Sequence, residues 1–200
     1  MRKKSKKKNF YDSVYFDLLD AMKEDVCPIC FLIQRSEFQY MDNLFYELVS
    51  DPEVREKLRR SYGFCGRHAQ LAKRIGKPLG IAIIYEDISF TLKEKIERDK
   101  EILFPGEGCI VCKLVNEVEE RYIQGFLKNF NKRDFQDFYK KSFGLCICHF
   151  LVVYSRLSTQ KEKEILKQYE LQKLERYLSQ LSKKELVQLY KIYTTEEEIW

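Results

Sequence analysis

The chain reads as all-α, built from two related helical units, and three observations carry that reading. Helix-forming residues are plentiful, whereas its 200 residues include only 8 Gly and 4 Pro. Apolar side chains recur at spacings of three and four, and no stretch keeps the two-residue alternation of a strand. A cysteine–histidine pattern occurs twice: Cys27-Pro28-Ile29-Cys30 with Cys65-Gly66-Arg67-His68, then Cys109-Ile110-Val111-Cys112 with Cys146-Ile147-Cys148-His149.

Length and composition bound the rest. A chain of this size makes one domain or two small ones, and 44% hydrophobic residues suffice for a core. The net charge of +5 is concentrated at the start, where residues 1–8 hold six basic side chains; the remainder carries 30 basic against 31 acidic residues. A disordered basic tail over 1–8 is therefore expected, able to touch phosphates without specificity but not marking the body as a nucleic-acid binder. Asp12, Asp17 and Asp20 interrupt any signal-peptide core. No apolar run reaches the roughly 18 residues of a membrane span. A reducing, cytoplasmic compartment follows as the default, where paired cysteines read as metal ligands before disulfides.

The elements follow in order. Phe10, Val14, Leu18 and Met22 give an amphipathic helix over 10–24. Cys27 is placed at the N-cap of the next helix, with Pro28 in its first turn and Cys30 one turn in; that helix should run to about Val49. Asp51-Pro52 starts a short helix ending near Ser61, stopped by Gly63. A further short helix follows Cys65 and should break at Gly76, Pro78 and Gly80. A longer one is expected from about Ile81 to Leu103.

Phe104-Pro105-Gly106 reads as the linker between a first repeat, 9–104, and a second, 105–200. In the second, Cys109 and Cys112 open a helix to about Phe130. A short helix covers Arg133–Ser142 and stops at Gly144, and Cys146 and His149 open one to about Leu157. Thr159 and Glu162 form a capping box for a helix to about Leu181. Leu171, Leu174, Leu178 and Leu181 on it offer either a homodimer seam or a face packed on the chain's own bundle. The tail from Lys183 to Trp200 carries a further apolar face and an acidic run.

The duplication rests on more than ligands. Ser61, Tyr62, Gly63 and Phe64 correspond to Ser142, Phe143, Gly144 and Leu145, so the stop glycine and the apolar anchor repeat together. Two ligands three apart at a helix start project to one side, and the positive helix end favours thiolate. Three thiolates and one imidazole make a closed zinc set, which builds structure and leaves no open position for water. The eight candidate metal ligands are Cys27, Cys30, Cys65, His68, Cys109, Cys112, Cys146 and His149. Helix lengths let the chain nearly return on itself, so one site per repeat is expected; the exchanged pairing of Cys27 and Cys30 with Cys146 and His149 is the alternative.

Zinc, two ions per chain, is the first reading and an iron–sulfur cluster on the same residues the alternative. A redox C-x-x-C would need a βαβ context, and haem attachment needs C-x-x-C-H where the chain has C-x-C-H. Cys148, whose counterpart is Arg67, reads as a core thiol or spare ligand. No paired carboxylates, glycine-rich phosphate loop or hydroxyl nucleophile stands out, so no catalytic residue is assigned. The expected role is a non-catalytic scaffold or interaction protein with an unidentified protein partner, or else a redox or sensor protein.

These residues also resemble a family of uncharacterised prokaryotic proteins marked by CPxC, DPEVRE, GFCxRHA and PLGxAIIYED segments with a later C-x2-C and GLCxxHF. Here they stand at Cys27–Cys30, Asp51–Glu56, Gly63–Ala69, Pro78–Asp87, Cys109–Cys112 and Gly144–Phe150. The resemblance covers most of residues 10–155 and implies that the eight ligand positions are functional. It implies no activity.

Overall fold

Apolar spacing of three and four becomes helix throughout the computed structural model, which describes residues 5–98 and 108–179, with side chains from Ser13 onward. Among the described residues there are nine helices and no strand: α1 (Ser5–Ala21), α2 (Pro28–Tyr46), α3 (Pro52–Arg60), α4 (Gly66–Ile75), α5 (Pro78–Glu97), α6 (Ile110–Asn129), α7 (Arg133–Lys141), α8 (Ile147–Arg156) and α9 (Gln160–Ser179). No described helix is long and apolar enough to cross a membrane.

The described residues fall into two compact units. Those within Met1–Ile33 and Val118–Trp200 form one, and those within Gln34–Glu117 the other. These units differ from the sequence repeats, because the chain passes from one unit to the other within α2 and again within α6. α1 begins at Ser5, inside the basic stretch expected to be a tail.

In the first unit, Val14 and Leu18 of α1 and Met22 just past its end are buried as the fourfold spacing requires. The core there is aromatic: Phe126 stacks on Phe130 at 5.6 Å and meets Phe135 and Tyr139 edge-on at 5.2 Å. Edge-to-face packing matches the positive ring edge to the negative face, adding about 0.5–1.5 kcal/mol per pair beyond burial. The capping box forms, with Thr159 N–H donating to Glu162 Oε2 at 2.8 Å and Glu162 N–H donating to Thr159 Oγ1 at 3.2 Å. Along α9, however, Leu171 and Leu178 are 47% and 61% exposed, so neither is buried against the described helices. Leu181 and the Lys183–Trp200 tail lie outside the described residues.

The second unit packs α2, α3, α4 and α5 around Met41, Leu44, Phe45, Leu58, Leu71 and Ile84. Asp51 caps α3 as its position before Pro52 predicts, its Oδ1 accepting from the N–H groups of Glu53 and Val54 at 2.9 Å. Gly63 and Gly144 end the short helices with φ of +93° and +104°, a region costly for side-chain-bearing residues.

One boundary departs in kind. Pro78 and Gly80 do not break a helix; they begin α5, with Pro78 in its first turn, where its missing N–H costs nothing. Gly80 lies within that helix, and a Cβ there would sit 2.7 Å from the carbonyl oxygen of Phe45. The glycine permits close helix approach. α2 also stops three residues early, at Tyr46, where Leu48 N–H reaches back to Asn43 O and turns the chain toward Asp51.

Candidate metal centres

All eight sequence-predicted ligands converge, in two groups of four. Cys27, Cys30, Cys146 and His149 form one quartet in the first unit; Cys65, His68, Cys109 and Cys112 form the other in the second unit. Within each quartet the ligand atoms all lie within 4.8 Å of one another. The pairing corrects the expectation of one site per repeat, since each quartet draws two ligands from each repeat.

Helix lengths give the physical reason. α2 has 19 residues and α3 only 9, so at 1.5 Å per residue the outbound run of about 28 Å is answered by a return of about 13 Å. His68 stops beside Glu37, its Nε2 donating to Glu37 Oε1 at 2.5 Å, ten residues beyond Cys27 on the chain. It does not get back to Cys27. The second repeat behaves alike: α6 has 20 residues and α7 has 9, and His149 Nε2 donates to Glu119 Oε1 at 3.0 Å.

Each cysteine is placed by a helix start. Cys65 and Cys146 are the N-caps of α4 and α8, with closely matched backbone (φ −65°, ψ 166° and φ −66°, ψ 162°) and no side-chain capping bond. Their sulfurs are thus left for the quartets. Cys27 and Cys109 immediately precede α2 and α6, and Cys30 and Cys112 follow one turn in.

The spacing of the ligand atoms fits a single tetrahedral ion. Sulfur–sulfur separations are 3.7 Å for Cys30–Cys146 and 3.6 Å for Cys65–Cys112. His149 Nδ1 lies 3.5, 3.2 and 3.1 Å from the sulfurs of Cys27, Cys30 and Cys146. His68 Nδ1 lies 3.1, 3.4 and 3.4 Å from those of Cys65, Cys109 and Cys112. Tetrahedral zinc, with bonds of about 2.3 Å to sulfur and about 2.0 Å to nitrogen, sets these edges at about 3.8 and 3.5 Å. Both sets agree to within about half an ångström.

Burial and charge fit as well. Cys27, Cys146, His149, Cys109 and His68 are buried, while Cys30, Cys65 and Cys112 are half-buried. Left to themselves the groups do not ionise together. Hydrogen bonds from Cys27 and Cys30 pull the Cys146 thiol far down. Burial would raise Cys109, but the His68 contact overcomes it and brings the thiol down to about 6. Burial opposes charge on both histidines too, yet the surrounding sulfurs and, for His68, Glu37 raise them to about 10 and about 11. Burial and neighbouring sulfur push Cys112 up to about 12, and contact with Cys146 and Cys27 pushes Cys30 up strongly. Each quartet thus sets one lowered thiol, Cys146 or Cys109, beside a raised imidazole, and holds the proton on Cys30 or Cys112. A divalent ion would displace those protons.

Cys148 is exposed and stands outside both quartets, so it is neither a core thiol nor a ligand in this arrangement. At its counterpart, Arg67 donates from Nη2 to Glu37 Oε2 at 2.9 Å. The sequence reading missed Glu37 and Glu119. The signal was present: each lies seven residues after the second cysteine of a C-x2-C, as C-x2-C-x6-E.

Residues 11–107 match a family of unknown function, DUF6062. The matched segment holds Cys27, Cys30, Cys65 and His68, half of each quartet. The chain is also 27% identical over 173 residues, 83% of its own length and 84% of the other's, to an "Uncharacterized 23.9 kDa protein in xynA 3'region" from Caldicellulosiruptor sp. (strain Rt8B.4). No solved structure matches.

Proposed function

We propose that each quartet holds one zinc ion, that both ions are structural, and that the protein is a non-catalytic helical scaffold or interaction protein. The observation carrying this is the edge length of each quartet. An iron–sulfur cluster separates its protein ligands by the irons and sulfides between them, whereas four ligand atoms within 4.8 Å of one another suit a single ion. Four protein ligands close the coordination shell, leaving no position for a substrate. Three thiolates and a neutral imidazole give a zinc centre of charge −1, supported by the positive ends of the two helices that start at each quartet.

The internal duplication is part of this reading. Matched N-caps at Cys65 and Cys146, matched positive φ at Gly63 and Gly144, and matched carboxylates at Glu37 and Glu119 support it. On this view repeats 9–104 and 105–200 interlock through exchanged ligand pairs. The exposed Leu171 and Leu178 at heptad spacing on α9 support a homodimer contact there.

Elemental analysis with a visible spectrum, on protein purified without oxygen or nickel resin, tests the metal. Two zinc ions per chain and no colour are expected. Iron with sulfide and a brown colour would replace the structural reading with a redox one, and absence of any metal would overturn both.

A further inference from the structure

We infer that Glu37 and Glu119 are positioning residues of the two metal centres, each fixing its histidine as an Nδ1 ligand by accepting the Nε2 proton. This rests on the quartets being metal centres, and it adds two residues to the machinery that no ligand motif names.

Both histidines turn Nδ1 toward three sulfurs and Nε2 toward a carboxylate oxygen, at 2.5 Å for His68–Glu37 and 3.0 Å for His149–Glu119. An imidazole that ligates through one nitrogen must keep its proton on the other. A carboxylate accepting that proton locks the tautomer, orients the ring and raises the basicity of the ligating nitrogen. Glu37 is itself 3% exposed. A carboxylate buried to that degree is retained only where it is paired and hydrogen-bonded, and both of its oxygens are committed, one to His68 and one to Arg67.

The placement of the two glutamates argues for a designed part of each centre. Seven residues are two helical turns, so each glutamate lies on the same side of its helix as the preceding cysteine. The assignments then cross over. α2 supplies Cys30 to the His149 quartet and Glu37 to His68; α6 supplies Cys112 to the His68 quartet and Glu119 to His149. Each long helix thus carries ligands for one centre and the orienting carboxylate for the other. The two carboxylates differ in setting: the Glu119 side chain is 39% exposed, against 4% for Glu37, so the larger effect belongs at Glu37.

The test uses full-length zinc-loaded protein and the variants E37Q, E37A, E119Q and E119A. Chelator competition gives zinc affinity at each site, and long-range proton–nitrogen spectra of labelled imidazole give the ligating nitrogen. The chain has only 2 histidines, so each ring is resolved alone. Nδ1 coordination with a proton on Nε2 is expected for both in the wild type. E37A should weaken one zinc about 10- to 100-fold and leave the other unchanged; E37Q, whose amide oxygen still accepts the Nε2 proton, should recover part of the loss. E119A should do the same at the other site, less strongly. Unchanged affinity in all four variants, or Nε2 coordination, would overturn the inference while two zinc ions remain bound. A wild type that binds no zinc would instead overturn the metal reading beneath it. Should E37A fail to fold, the Gln variants and the half-exposed Glu119 decide the matter.

Discussion

Replacing Lys173 by methionine should change how stability depends on pH, by an amount the structure sets. The Lys173 side chain is 5% exposed, its Nζ stands 3.6 Å from Glu170 Oε1, and it lies 3.6 Å above the Tyr139 ring. Among the described residues that nitrogen is buried without a hydrogen-bond partner, while Glu170 Oε1 accepts from Tyr139 OH and from Leu145 N–H. Burial therefore dominates, and with Glu170 only partly offsetting it the ammonium falls from 10.5 to about 8. Between those values the unfolded chain binds more protons than the folded one, so stability rises with pH across that window. Integrated from pH 7 to pH 10, a shift of this size contributes about 2.5 kcal/mol. K173M removes the titrating group and keeps most of the packing over Gly144. Urea unfolding followed by circular dichroism at pH 7, 8, 9 and 10 should show wild type gaining about 2.5 kcal/mol relative to K173M. A wild-type–K173M difference that stays flat with pH would refute the reasoning.

Three further substitutions follow from the packing. G80A should cost about 1–3 kcal/mol and lower the thermal midpoint, because the new methyl would meet the Phe45 carbonyl oxygen at 2.7 Å. D51A should cost about 1 kcal/mol in urea unfolding by leaving the Glu53 and Val54 N–H groups without their cap. C148S should keep the full metal content and midpoint, since the Cys148 thiol is exposed and outside both quartets; loss of a metal ion would contradict the assignment.

Local signals were legible in the sequence, and global closure was not. Proline, capping aspartate, capping-box threonine and stop glycine each act within a turn or two, so the positions of α3, α6, α7 and α8 and the start of α9 could be read to within a residue or two. The eight candidate ligands were legible because their spacing repeats. Their partners were not, since pairing depends on how far α3 and α7 carry the chain back along α2 and α6. A nine-residue helix against a nineteen- or twenty-residue one leaves the second pair beside a mid-helix glutamate. Glu37 and Glu119 escaped notice because a glutamate on a charged helix looks like surface until its histidine is found. Gly80 was misread for a related reason: its absent side chain serves the approach of Phe45, a contact 35 residues away in sequence.

Metal content of paired ligand variants tests the exchanged pairing most directly. Folded C30S/C146S, both substitutions in one quartet, should retain one zinc ion per chain. C30S/C65S, one substitution in each quartet, should retain none. The reverse pattern, with zinc kept by C30S/C65S and lost from C30S/C146S, would show that each repeat closes its own site and would contradict the account.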